Sequence, residues 1–173
     1  MTNSIFVYMR FFLFFLFFSV TILSVSQSNF SKEISFINDN DLYTSFYRDG
    51  YYTNGMFLTL RAFKNDNVEK ASKKIYKFQI GHLMFTAQKS TYPFASLHDR
   101  PFAGYFFGSF GIDRFYKSNN ILTTDIEIGV IGPNAKGKEL QSFMHSIYNY
   151  PEPLGWKHQI QNAFAINFNT NFL

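Results

Sequence analysis

Beyond residue 26 no apolar run approaches the roughly 18–20 residues that a membrane-crossing helix needs, yet segments of about ten residues alternate apolar and polar side chains along most of the chain. Nothing else in the sequence restricts the fold so tightly. Successive side chains of a β-strand point to opposite faces, so each such segment has one greasy and one wet surface. Leu122, Thr124, Ile126, Ile128 and Val130 form one largely apolar face, with Thr123, Asp125, Glu127 and Gly129 opposite. Phe164, Ile166, Phe168 and Thr170 alternate with Ala165, Asn167, Asn169 and Asn171. Met56, Leu58, Leu60 and Ala62 oppose Phe57, Thr59 and Arg61, and Tyr76, Phe78, Ile80 and Met84 oppose Lys77, Gln79 and Gly81. With Glu33 to Asn38 and the glycine-broken aromatic stretch from Phe102 to Phe115, the pattern predicts about six strands.

A soluble β-sandwich also alternates, but its outer faces carry more Lys and Glu than the Thr, Asn and Gly found here. Composition points the same way. Charged residues are 16%, against about 25% in soluble domains, while 24 Phe, 11 Tyr and one Trp call for a medium that accepts exposed rings. Lipid and the aromatic girdles of a membrane barrel do so. The expected fold is therefore all-β, an antiparallel transmembrane β-barrel in a single domain.

The N-terminus supplies the export route. Arg10 precedes a 13-residue apolar run, Phe11 to Leu23, followed by Ser24-Val25-Ser26 with small residues one and three before a cut after Ser26. That is the layout of a secretory signal peptide, too short for a transmembrane helix. The chain divides into a leader, 1–26, and a barrel domain, 27–173, with Met9 an alternative start. The net charge of +4 includes Arg10 and a cluster at Lys70, Lys73, Lys74 and Lys77, with no nucleic-acid-binding motif beside it. Cysteine is absent, which excludes disulfides and thiolate chemistry.

Asn65-Asp66-Asn67 and Ser118-Asn119-Asn120 read as turns, and Thr86 to His98 as a longer loop around Ser90-Thr91-Tyr92-Pro93. Between Gly137 and Tyr150 alternation stops, and Glu139 to His145 suits a short helix with Gln141 and His145 on one face. Four clusters could carry chemistry. Asn38-Asp39-Asn40-Asp41 offers oxygens to a hard cation or forms an Asx-rich turn. Tyr52-Thr53-Asn54-Gly55 has the Asn-Gly of a hairpin turn. Asp99-Arg100-Pro101 could be a surface ion pair, and a lone His145 is more often structural than catalytic.

Taken in order, these clusters resemble the lipid A 3′-O-deacylase family of Gram-negative outer membranes. The matching stretches are Asn38-Asp39-Asn40-Asp41, Tyr51-Tyr52-Thr53-Asn54-Gly55 and Asp99-Arg100-Pro101-Phe102-Ala103-Gly104. They continue with Ile128-Gly129-Val130-Ile131-Gly132-Pro133, Gln141 with His145, and Pro151 to Gln159. The resemblance implies about half of a 12-stranded barrel, with a calcium-using ester hydrolase site in the barrel near the outer leaflet, acting on lipid A of lipopolysaccharide. It makes His145 the general base, a role that suits an imidazole ionising near neutral pH. Asn38, Asp39 and Thr53 would surround the metal and the attacked ester, Arg100 or Lys89 would supply a cation for the developing oxyanion, Gln141 would orient His145, and Glu152 would be its further partner.

Family members run to about 300 residues by the same resemblance. Six strands cannot close a bacterial barrel, which starts at eight, and an open edge in lipid strands backbone groups. The expectation is that the chain is either truncated at its C-terminus or assembles with a second chain that completes the barrel. The alternatives are an inactive barrel fragment and a small structural outer-membrane barrel.

Overall fold

The computed structural model describes residues 31–43, 50–65 and 71–173. The predicted leader lies outside the described residues. Six strands form one antiparallel sheet in sequence order: β1 Lys32–Asn40, β2 Tyr51–Asn65, β3 Ala71–Thr86, β4 Ala103–Tyr116, β5 Ile121–Ile131 and β6 Ala163–Phe172. Among the described residues one α-helix, α1 (Gly137–Tyr148), and short 3-10 turns occupy the connections. No helix among the described residues is long and apolar enough to cross a membrane. The sheet is not closed, with β1 and β6 at its two edges.

The register explains the alternation. Ile34, Leu60, Phe78, Phe110, Ile126 and Phe168 lie side by side across all six strands, a continuous apolar row. One step along, Phe36, Leu58, Ile80, Gly108, Ile128 and Ile166 make the next row on the same face. On the central strands Phe78, Phe110 and Ile126 are 47%, 45% and 44% exposed, whereas Thr59, Ser109 and Phe107 on the other face are 1%, 7% and 4% exposed. The crowded face is concave and polar, the open face convex and apolar. Water inside and lipid outside require that arrangement.

The concave face is laced together across strands. Arg61 Nη1 donates to Glu33 Oε1 at 2.5 Å, Gln79 Nε2 to Thr59 Oγ1 at 2.8 Å, and Tyr105 Oη to Glu127 Oε1 at 2.6 Å. Asn167 and Asn169 on β6 reach Glu127 and Asp125 on β5 at 2.7 and 2.8 Å. All but Tyr105–Glu127 lie directly opposite in register, where cross-strand contacts contribute most, and Tyr105 reaches Glu127 diagonally along β5. The ring of Phe107 fills the space over Gly81, where a Cβ would stand 2.2 Å from it. Gly81→Val should overpack this spot at a cost of about 1–3 kcal/mol. The fraction of protein migrating as the unheated, folded species on a gel should fall, and an unchanged fraction would disprove the tight fit.

Three expectations change. Tyr52-Thr53-Asn54-Gly55 is not a hairpin turn but the start of β2, with a register shift between Tyr52 and Asn54. Pairing on both sides, Gly55 with Asp39 and with Leu83, overrides the local Asn-Gly signal. Asn38 to Asn40 is extended in β1, and only Asp41 begins a 3-10 turn. The helix runs Gly137–Tyr148, longer at both ends than its sequence pattern suggested. The Ser118-Asn119-Asn120 turn is present, with Asn119 at φ 63°, a conformation Asn tolerates. Asp66 and Asn67 lie outside the described residues.

Candidate functional site

The long connections 87–102 and 132–162 leave the sheet at one end, where Asp41–Tyr43 also lies, while the short link 117–120 joins strands at the opposite end. Bacterial barrels place short turns toward the periplasm and long loops outside, so the long connections face the cell exterior. There α1 lies against the convex face. Its buried residues are Gly137, Gln141 and His145, spaced four apart on one stripe. Opposite them on the wall stand Asn40, Thr53, Asn54 and Met84. Between helix and wall is a cleft of 40 Å³, room for a water molecule.

A small apolar core docks the helix. Met84, Ala87, Phe102 and Trp156 are buried together, and Leu140 of α1 packs on them. Trp156 stands edge-on to Phe102 with ring centres 5.3 Å apart, and its Nε1 donates to Gln141 Oε1 at 2.5 Å. Gly137 lets the helix start approach, since a Cβ there would lie 2.5 Å from the Trp156 ring.

The chain after α1 turns back through Asn149, which takes a left-handed φ of 55°. This brings the Pro151 carbonyl to 2.5 Å from His145 Nδ1 and the Tyr150 ring edge-on to the imidazole at 5.7 Å. A carbonyl only accepts, so Nδ1 carries the proton and the neutral ring has its lone pair on Nε2. A buried imidazole with a fixed tautomer can take a proton from water or a hydroxyl. Thr53 Oγ1 and Thr86 Oγ1 share a 2.8 Å hydrogen bond beside it.

The model of the outer membrane protein LpxR family matches residues 11–172. The chain belongs to the LpxR family. It is accordingly an outer-membrane β-barrel protein of the Gram-negative type. Among solved structures, LpxR from Salmonella typhimurium is similar at 24% identity and a TM-score of 0.60, covering 72% of this chain and 40% of that one. At that identity the likeness speaks for the fold. The chain spans 40% of the length of the LpxR chain it matches. No curated protein matches.

Within this LpxR-family chain the residues singled out from sequence do not all meet. His145, Gln141 and Thr53 line the same cleft. Asn38 is on the same face as Asn40 but lower on β1. Its Nδ2 donates to Gly55 O at 3.1 Å and its Oδ1 accepts from Tyr43 Oη at 2.5 Å. Asp39, next along the strand, is turned to the concave face, where Tyr52 Oη donates to its Oδ2 at 3.1 Å. Gln141 holds Trp156, and Pro151 rather than Glu152 meets His145; Glu152 is exposed. Arg100 lies over the Tyr51 ring at 4.0 Å and beside Asp99 at 3.4 Å, and Lys89 lies 5.3 Å over Tyr92. Neither cation lines the cleft. The site itself is outside the barrel wall, between wall and helix, rather than within the barrel.

Calcium takes 6–8 oxygens, usually with carboxylates among them. The cleft offers the neutral oxygens of Asn40, Thr53 and Asn54, while the Asp39 carboxylate points to the opposite face. Among the described residues no three His, Asp or Glu side chains converge. Asn38, Asp39 and Thr53 as arranged do not fit a calcium cage, and no step below is routed through a metal.

Sequence reasoning missed Trp156, Pro151, Asn40 and Asn54 as parts of the site. Trp156 had one available signal, as the single Trp in the chain, within a stretch already matched to the family.

The loop flanking the site has its own tether. Gln88 N–H donates to Asp99 Oδ1 at 3.0 Å, and this bond, helped by the Arg100 charge, holds the Asp99 carboxyl below the ordinary carboxylate range. A depressed folded pKa contributes stability above the unfolded value, about 3.9, and loses it as pH falls through the folded value. The protection of the Gln88 amide, relative to its intrinsic exchange rate at each pH, should therefore fall below about pH 4. In Asp99→Ala, which has no acceptor, that protection should be lost already at neutral pH, and equal protection in both proteins would refute the tether.

Proposed function

We propose that this chain contributes the active face of a lipid A 3′-O-deacylase-like ester hydrolase acting on lipopolysaccharide in the outer membrane. The observation that carries the reading is the buried His145, tautomer held by the Pro151 carbonyl, on the face of α1 packed against the lipid-facing wall. An ester in the outer leaflet reaches that side without entering the barrel.

In the proposed reaction His145 Nε2 takes a proton from a water held in the cleft. The water oxygen bonds to the ester carbonyl carbon, and the carbonyl electrons move onto oxygen. N–H and O–H donors lining the cleft, Asn40, Asn54 and Thr53, are the nearest groups for that oxyanion, a type of contact that supplies much of the rate in acyl transfer. Collapse breaks the bond to the sugar oxygen, which takes the proton back from His145. The acid and the free hydroxyl leave. Arg100 and Lys89, on the flanking loops, would meet lipid phosphates rather than the reacting atoms.

Further strands pairing with the edges of β1 and β6 are part of the proposal. Unpaired backbone groups in hydrocarbon cost several kcal/mol each, so the open edges need partners in the membrane. Lipid A from cells expressing the chain, alone and with a complementing set of strands, should lose the mass of its 3′ acyloxyacyl group in the complemented case. Unchanged lipid A there would sink the hydrolase reading. Processing is a separate prediction: N-terminal sequencing of membrane-inserted protein should begin at Gln27, and a retained Met1 or Met9 would refute a cleaved leader.

A further inference from the structure

We propose that the recess on the far side of α1 from His145 binds one acyl chain of an outer-leaflet lipid. The recess has a volume of 520 Å³, within the range of about 300–1,000 Å³ typical of small-ligand sites. His82 of β3 and Phe106 of β4, paired in register, form its floor, and Leu140 and Phe143 of α1 form its roof. His82 Nε2 donates to the Ala135 carbonyl at 2.7 Å, tying the wall to the segment that leads into α1. Glu139 stands at the rim, paired with Lys136 at 3.2 Å.

Two observations name the occupant. The floor belongs to the convex face: Met56, His82, Phe106, Val130 and Phe164 form the row next to Phe36, Leu58, Ile80, Gly108, Ile128 and Ile166. The mouth therefore opens onto the lipid-facing band, and a water-soluble ligand would have to shed its hydration to enter. Second, Gly108 interrupts that neighbouring row. A Cβ built on it meets nothing within 4 Å, and Ile80 and Ile128 flank it. Open wall surface therefore lies at Gly108, two residues from Phe106 along β4. An apolar recess with a charged rim, next to unfilled apolar surface, fits a linear hydrocarbon chain with a polar head beside Lys136.

The site is independent of the chemistry at His145, so its test does not measure hydrolysis. Outer membranes carrying the whole protein with any complementing strands are loaded with a phospholipid bearing a photoreactive diazirine on one acyl chain, and cross-linked peptides are mapped. Labelling at Phe106, Leu140 and Phe143 should exceed labelling at Phe78 and Ile126, on the open band, by about tenfold. Gly108→Ile puts a strand-compatible side chain into the free space on the wall beside the recess, and should bring the two labelling levels to parity. Glu139→Trp, an exposed rim position, should block the mouth and do the same. His145→Ala should keep the enrichment. Uniform labelling of the unmodified protein, or enrichment that survives both Gly108→Ile and Glu139→Trp, would overturn the proposal. So would stronger labelling of the recess by a water-soluble diazirine than by the lipid.

Discussion

In the complemented barrel, His145→Ala is expected to lower release of the 3′ acyl group by about 10²–10⁴-fold, the usual contribution of a positioned general base. The folded species on an unheated gel should be unaffected, because the strands, their ladders and the Trp156 core do not depend on the imidazole. A purely structural role makes a different prediction. If His145 only held the Pro151 segment, His145→Asn, whose amide nitrogen can take the place of Nδ1 and donate to the Pro151 carbonyl, would restore activity. As a base it does not, whereas free imidazole added to His145→Ala, entering the space the side chain vacates, should recover part of the rate. Near-native release from His145→Ala would remove the residue from the mechanism.

The other large effect belongs to Trp156. Truncating a fully buried aromatic costs about 3–5 kcal/mol, and this one also leaves the Gln141 oxygen without the Nε1 donor in a buried setting. The cost falls mainly on a local unit, since Trp156 packs with Phe102, Gly137 and Gln141, and its core meets the sheet at Met84, near the end of β3. Trp156→Ala should therefore undock α1 while the barrel survives. Backbone amides of α1 should exchange about 100-fold faster or more, taking tenfold per 1.4 kcal/mol, with β3 and β4 protected as before. Acyl release should fall with the helix, because His145 is carried on it. Uniform loss of protection across strands and helix would show instead that the Trp156 core is part of the global fold.

How much could be read before the structure differs sharply between wall and site. Leu122 to Val130 and Phe164 to Thr170 assigned themselves to strands and to faces, and the rows of the sheet reproduce that assignment residue by residue. The same period also decides that Asn38 and Asp39 point to opposite faces, a consequence of strand geometry that the family resemblance alone obscured. Gln141 and His145 were legible as one helix stripe for the equivalent reason at period 3.6.

Side-chain direction along an extended or helical backbone is a local property, so alternation by itself determined the fold class, the strand positions and the two surfaces of the wall. Which oxygen meets His145, which ring anchors Gln141 and which wall residues face α1 were decided only by tertiary structure. Those contacts depend on a register shift at Thr53, on a left-handed turn at Asn149, and on the aperiodic connections 87–102 and 132–162 at one end of the sheet. A loop has no repeating geometry from which to read its partners. Its contacts are selected by the surface that the strands have already built beneath it.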